Sequence, residues 1–183
     1  MKGAAAGMAI GAAIKWAMTP TSQAPVNADT SNGTDGDGDS ISFEDAKKTL
    51  SENGLVPDDV LNNPDIVKNR TNEYGLFKNG KSRGVLSMDE VKAHEADGWI
   101  QIEGSASKGG VISIFKQATY AGHESHTGLF GRNLTGQQNL VQTIYHEYQH
   151  HLGVPTHGNN SKSFQWQRWG RREGEALNPV FGR

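Results

Sequence analysis

Apolar residues recur at helical spacing along one late stretch of the chain: Leu140, Val141, Ile144, Tyr148 and Leu152. That period predicts an amphipathic helix with these side chains facing the core. Its ends are marked too. Thr135 and Gln138 stand at capping-box spacing, Gly153 supplies a stop, and Pro155 prevents resumption. Shorter helices are predicted earlier. Ser42 and Asp45 open one that carries Phe43, Ala46 and Leu50 and stops at Gly54, and another runs from Met88 to Ala96 and closes at Gly98. Two prolines between positions 56 and 68 predict broken helical turns there. The β-branched runs Trp99-Ile100-Gln101-Ile102 and Val111-Ile112-Ser113-Ile114-Phe115 flank Lys108-Gly109-Gly110, which predicts a hairpin. Residues 120–132 read as loop, and no internal repeat is present.

The first forty residues follow a different pattern. Residues 1–18 are small and apolar, with Gly3, Gly7 and Gly11 on one helix face, a spacing that permits close helix approach. The stretch is short for a membrane span, and Lys15 interrupts it. Two readings fit. One is a signal peptide, with Lys2, an apolar run to Ile14 and Ser22-Gln23-Ala24 as its cleavage site. The other is a glycine-rich delivery region, the one place where membrane contact is expected. Gly and Ala make a weaker signal core than Leu, which favours the second. Residues 19–40 read as a flexible acidic linker. Within it Asp35-Gly36-Asp37-Gly38-Asp39 suggests a calcium loop, and hence a calcium-dependent adhesion fragment. Against this, Ser40 replaces the loop glycine and Ala46 stands where the bidentate glutamate belongs. The folded domain is therefore placed at 41–183.

Composition narrows the chemistry. A formal net charge of −2 gives no reason to expect nucleic-acid binding, and the cluster Arg168, Arg171 and Arg172 is followed at once by Glu173 and Glu175, as on a solvated helix face. With no cysteine, disulfides, thiolate ligands and thiol nucleophiles are excluded, and a metal is left to imidazole and carboxylate. All the histidines but His94 lie between positions 123 and 157. Of these, His146 and His150 fall one helical turn apart on one face, about 6 Å along the axis, so both imidazoles can reach one zinc ion. Glu147 is swung to the side of that position, where a carboxylate can take a proton from water without ligating the metal. The bland alternative is a polar surface helix with incidental histidines.

His146-Glu147-Tyr148-Gln149-His150 resembles the defining helix of the zincin metallopeptidases. His157-Gly158 with Phe164 and Trp166 resembles the continuation found in SprT-like proteases, and the metzincin pattern is approached with Thr156 at its last position and His157 one place later. The layout of glycine-rich segment, linker and small C-terminal domain is similar to the metallopeptidase domains of bacterial polymorphic toxins. These resemblances imply an α+β zincin-like domain with the active-site helix packed on a short sheet, Zn2+ as cofactor, Glu147 as general base, and a protein or peptide substrate. They imply too that an edge strand aligns the substrate, for which Val111 to Phe115 is the candidate; an interior hairpin strand with no substrate contact is the equal alternative. The toxin likeness further implies secretion or delivery by a bacterial secretion system and a cognate inhibitor; otherwise the protein is cytoplasmic. For the third zinc ligand His157 stands first, because the bend at Pro155 returns the chain beside the metal, with Glu173 and Glu175 on a following helix as alternatives. His151 points away from His150 and reads as a supporting or surface residue. His123 and His126 read as loop residues, Tyr120 and Tyr145 as packing groups or oxyanion donors, and Trp166 and Trp169 as core. A non-enzymatic module, stabilised by zinc, is the competing function; it has no need of Glu147.

Overall fold

A computed structural model describes residues 41–123, 133–154 and 164–182, with the backbone alone for His123 and residues 164–169. Its elements are a mixture of helices and small sheets, an α+β fold. In chain order they are α1 (Phe43–Glu52), α2 (Asp58–Leu61), β1 (Val67–Arg70), β2 (Tyr74–Lys78), β3 (Lys81–Val85) and α3 (Met88–Ala96). Then follow β4 (Ile100–Ile102), β5 (Gly104–Ser105), β6 (Ile112–Phe115), a 3-10 turn (Lys116–Thr119), β7 (Gly122–His123), β8 (Asn133–Leu134), α4 (Gly136–His151) and α5 (Phe164–Leu177).

The helix signals are realised locally. Ser42 caps α1 by accepting from the Asp45 amide. Ser87 and Glu90 close a reciprocal capping box on α3, and Thr135 and Gln138 do the same on α4. The stretch from 56 to 68, read as broken turns, holds one helical turn and then a strand, β1. The segment from 69 to 87, which carried no expectation, folds as the β2–β3 hairpin. Asn79 and Gly80 both take positive φ (52° and 76°), the two-residue turn whose twist matches the strands it joins.

The strands form two three-stranded sheets and one small pair. In the first sheet β6 lies in the middle, parallel to β1 and antiparallel to β5; in the second, β2 lies between β3 and β4. Two expectations are corrected here. The run 99–102 does not pair with 111–115: β4 joins β2, and only Gly104 and Ser105 turn back along β6. Consequently Val111–Phe115 is no edge. Ile112, Ile114 and Phe115 are fully buried and β6 has partners on both sides, so the edges of this sheet are β1 and β5. Residues 120–132, read as loop, include the short strand β7, which pairs with β8 just beyond them.

Two amide side chains tie these parts together. Gln117, buried, accepts from the Gly75 amide at 2.8 Å and donates to the Gly75 carbonyl at 3.1 Å, joining the sheets. Gln137 accepts from the Ser42 amide at 2.8 Å and donates to its carbonyl at 3.0 Å, joining α4 to the start of α1. The main core lies where α1, β1, β6 and α4 meet, with Ala46, Leu50, Ile112, Ile114, Leu140, Val141, Ile144 and Tyr148 buried in it. Burial of such side chains stabilises by about 2 kcal/mol each. The expected apolar face of α4 holds except at Leu152, which is half exposed: the helix ends at His151, and Leu152 is already its C-cap. A second, smaller core of Leu76, Val85 and Val91 fills the other sheet.

Candidate active site

Besides its apolar face, α4 carries two polar rows, each of residues spaced by four. Such rows form the ridges along which a neighbouring element packs. Asn139, Thr143, Glu147 and His151 make the first, and every member meets the β5–β6 hairpin or the residue leading into it. Asn139 Nδ2 donates to Glu103 at 3.1 Å and Thr143 Oγ1 to the same carboxylate at 3.4 Å. The Glu147 side chain lies against Gly104, and the nearby Ala106 amide favours its charged form. His151 Nδ1 lies 2.7 Å from the Gly110 carbonyl, which can only accept, so that nitrogen carries the proton.

Gln142, His146 and His150 make the second row. It faces α5, where Gln142 Nε2 donates to Glu173 at 3.3 Å and His146 Nδ1 stands 3.5 Å from the other oxygen of that carboxylate. The His146 and His150 rings lie 5.0 Å apart, centre to centre, inclined by 62°. Glu173 is selected by helical phase. Gly170, Gly174 and Leu177 are buried with it, while Arg171, Arg172 and Glu175 between them are exposed.

Charge is concentrated here to an unusual degree. Burial alone would lower the His146 pKa, but the Glu173 carboxylate 3.5 Å from it, with Glu147 and Glu103 nearby, outweighs this and raises it to about 9. Glu147 moves the other way from an ordinary carboxylate. Burial lifts it, His146 lowers it, Glu103 and Glu173 lift it again, and it comes to about 7 in spite of the Ala106 amide. A carboxyl group near 7 can both accept and return a proton at neutral pH.

The sequence-derived site residues His146, Glu147, His150 and Glu173 are thus brought together. Glu175 is exposed on the other side of α5, which corrects its candidacy as a ligand. His157 and His126 lie outside the described residues, as do the segment 1–18, the linker 19–40 and the Asp35–Asp39 run. His151 supports the hairpin and stacks on Tyr148. Tyr145 packs against the main core and feels the Glu173 charge, whereas Tyr120 bonds Tyr74. The sequence reading had missed Glu103, Gly104, Ala106 and Gln142.

The residues present fit a zinc ion by donor chemistry. Two imidazoles lie one turn apart, and a carboxylate on Nδ1 of the first leaves Nε2 as its ligating nitrogen, the arrangement in which such a histidine is oriented and made more basic. Among the described residues, however, no three His, Asp or Glu side chains gather as a closed metal site does. A complete site therefore needs a ligand from elsewhere, which keeps His157 first among the candidates, or a turn of Glu173 away from His146. No family model, curated protein or solved structure matches the chain.

Proposed function

We propose that the chain is a zinc-dependent hydrolase of peptide bonds, a metallopeptidase on a zincin-like helix. The observation that carries this reading is the placement of Glu147. It is buried, set beside a pair of imidazoles one turn apart, and packed against the β5 backbone at Gly104. A purely structural zinc site has no use for a buried carboxylate that ligates nothing.

His146 and His150 would hold the ion, with His157 as third ligand and Glu173 orienting His146 through Nδ1. Zinc, when bound, supplies Lewis-acid polarisation of the scissile carbonyl and of the attacking water. Glu147 takes the proton of that water and later gives it to the departing amine. Glu103 O accepts from Phe115 N, so alternate backbone groups of β5, those of Gly104 and Ala106, turn away from β6 along the open side of the sheet. That edge, rather than 111–115, is the strand on which an extended peptide would add by backbone hydrogen bonds.

The test is digestion of an unbiased peptide library by the zinc-loaded protein and its Glu147→Gln variant. Wild type should cleave, and the variant should keep its zinc and lose about 10² or more of the rate. Equal rates, or no cleavage by wild type, would remove the reading.

A further inference from the structure

We propose that the β5–β6 hairpin is a positioning device for the Glu147 carboxylate, with Gly104 and His151 as its positioning residues. The inference rests on the reading of Glu147 as general base and goes on to say what holds that base in place.

Gly104 has ordinary strand backbone, so conformational freedom is not what the position uses. It uses space. A Cβ there would lie 2.6 Å from Glu147 Cγ, 2.9 Å from its Oε1 and 3.1 Å from its Cδ. The carboxylate lies in the gap left by the missing side chain, and two residues on the Ala106 amide favours its charged form. Together they fix both its distance and its direction.

The cradle is useful only if β5 itself is held, and β5 is a strand of two residues. Pairing over that length gives little register of its own. The first polar row of α4 provides it from both ends. Before the strand, Glu103 is bound by Asn139 and Thr143. Beyond it, Ser107 to Gly110 form a turn closed by the Gly110 amide on the Ser107 carbonyl, with Gly109 at φ 65°. That turn is fastened to the helix end twice, by His151 Nδ1–H on the Gly110 carbonyl at 2.7 Å and by the Gly109 amide on the His151 carbonyl at 2.8 Å. Gly153 leaves room for the Lys108 stem beside it, where a Cβ would meet Lys108 Cδ at 2.6 Å. Glu147 sits midway between the two fastenings. A helix that carries the base thus also clamps the strand that aims it.

Three variants separate this from simple packing: Gly104→Ala, His151→Ala and His151→Asn. The asparagine amide nitrogen falls where the imidazole Nδ1 does, so it can still donate to Gly110. All three should keep one zinc per chain. Gly104→Ala should lower kcat by about 10² with little change in KM, since a displacement of about 1 Å at a reacting group has that effect. His151→Ala should lower kcat by about tenfold and speed amide exchange at Gly109 and Ala106, and His151→Asn should restore most of both. Unchanged kcat in Gly104→Ala, or an asparagine variant no better than alanine, would overturn the proposal. The exchange measurements need no substrate. If wild type cleaves no peptide, the hydrolase reading falls alone, and unchanged exchange at Ala106 in both Gly104→Ala and His151→Ala would sink the hairpin's role as well.

Discussion

The two polar rows of α4 differ in kind. The row facing the hairpin makes its contacts through an amide, a hydroxyl, an imidazole N–H and backbone groups, converging on Glu103, Ala106 and Gly110. The row facing α5 works through charge, with His146 set against the fully buried side chain of Glu173. The first row fixes geometry, and the second stores a cation. With His146 at about 9, the metal-free site at neutral pH is an imidazolium–carboxylate pair, in which a proton stands where a metal ion would. Glu147 belongs to the first row and feels the second, aimed by the hairpin on one side and electrostatically tuned by His146 and Glu173 on the other.

The largest effect should come from the charged side. In the zinc-loaded protein, His157→Ala should abolish both zinc retention and hydrolysis, because a catalytic site needs three protein ligands. Glu173→Ala should weaken zinc about 10- to 100-fold while still binding it, as removal of an orienting carboxylate does. Competition against a chelator of known affinity measures both. The reverse ranking would make Glu173 a ligand and His157 dispensable, and would mean that Glu173 leaves His146 when metal arrives.

A smaller, graded effect should appear in the pH dependence of zinc uptake. The folded His146 pKa is raised, so its proton remains to be displaced throughout the range from ordinary imidazole values up to about 9. Apparent zinc affinity should therefore rise about tenfold per pH unit from pH 7 and level off near 9. In Glu173→Gln the plateau should begin near the ordinary imidazole range, about 6.5. The same pair stabilises the metal-free fold below about 6.5, and that contribution is lost as pH rises through about 9. Calorimetric titration in buffers of different ionisation enthalpy reads the proton release directly. An uptake curve already flat at pH 7 would show that Glu173 does not hold His146 in this way.

How much of this could be read along the chain depends on the distance over which each part is made. α4 was legible from end to end because its caps, its apolar face and its His-Glu-x-x-His spacing are all local. The partners of its polar rows were not: Glu103 lies 36 positions before Asn139 and Glu173 lies 31 after Gln142, and no local pattern announces either. Glu173 reads along the chain as part of a solvated helix face, as a packing residue or as an alternative ligand, in a segment whose arginines read as solvent-facing. The phase of Gly170, Glu173, Gly174 and Leu177 separates it from them. The β2–β3 hairpin was missed although Asn79-Gly80 is a strong turn signal, because Lys78, Lys81 and Arg83 break the apolar alternation of the flanking strands. Likewise β1, Val67-Lys68-Asn69-Arg70, has only one apolar residue, so nothing suggested that it would cover one side of β6 and place that strand inside the sheet.

The central claim, that the face between these two rows holds a catalytic zinc, is tested most directly by X-ray absorption spectroscopy of the protein loaded with one equivalent of zinc. The account predicts a bound ion with imidazole nitrogens at about 2.0–2.1 Å, and the loss of one of them in His150→Ala. A chain that retains no zinc, or one whose zinc keeps the same ligand shell when His146 and His150 are both replaced by alanine, would contradict it.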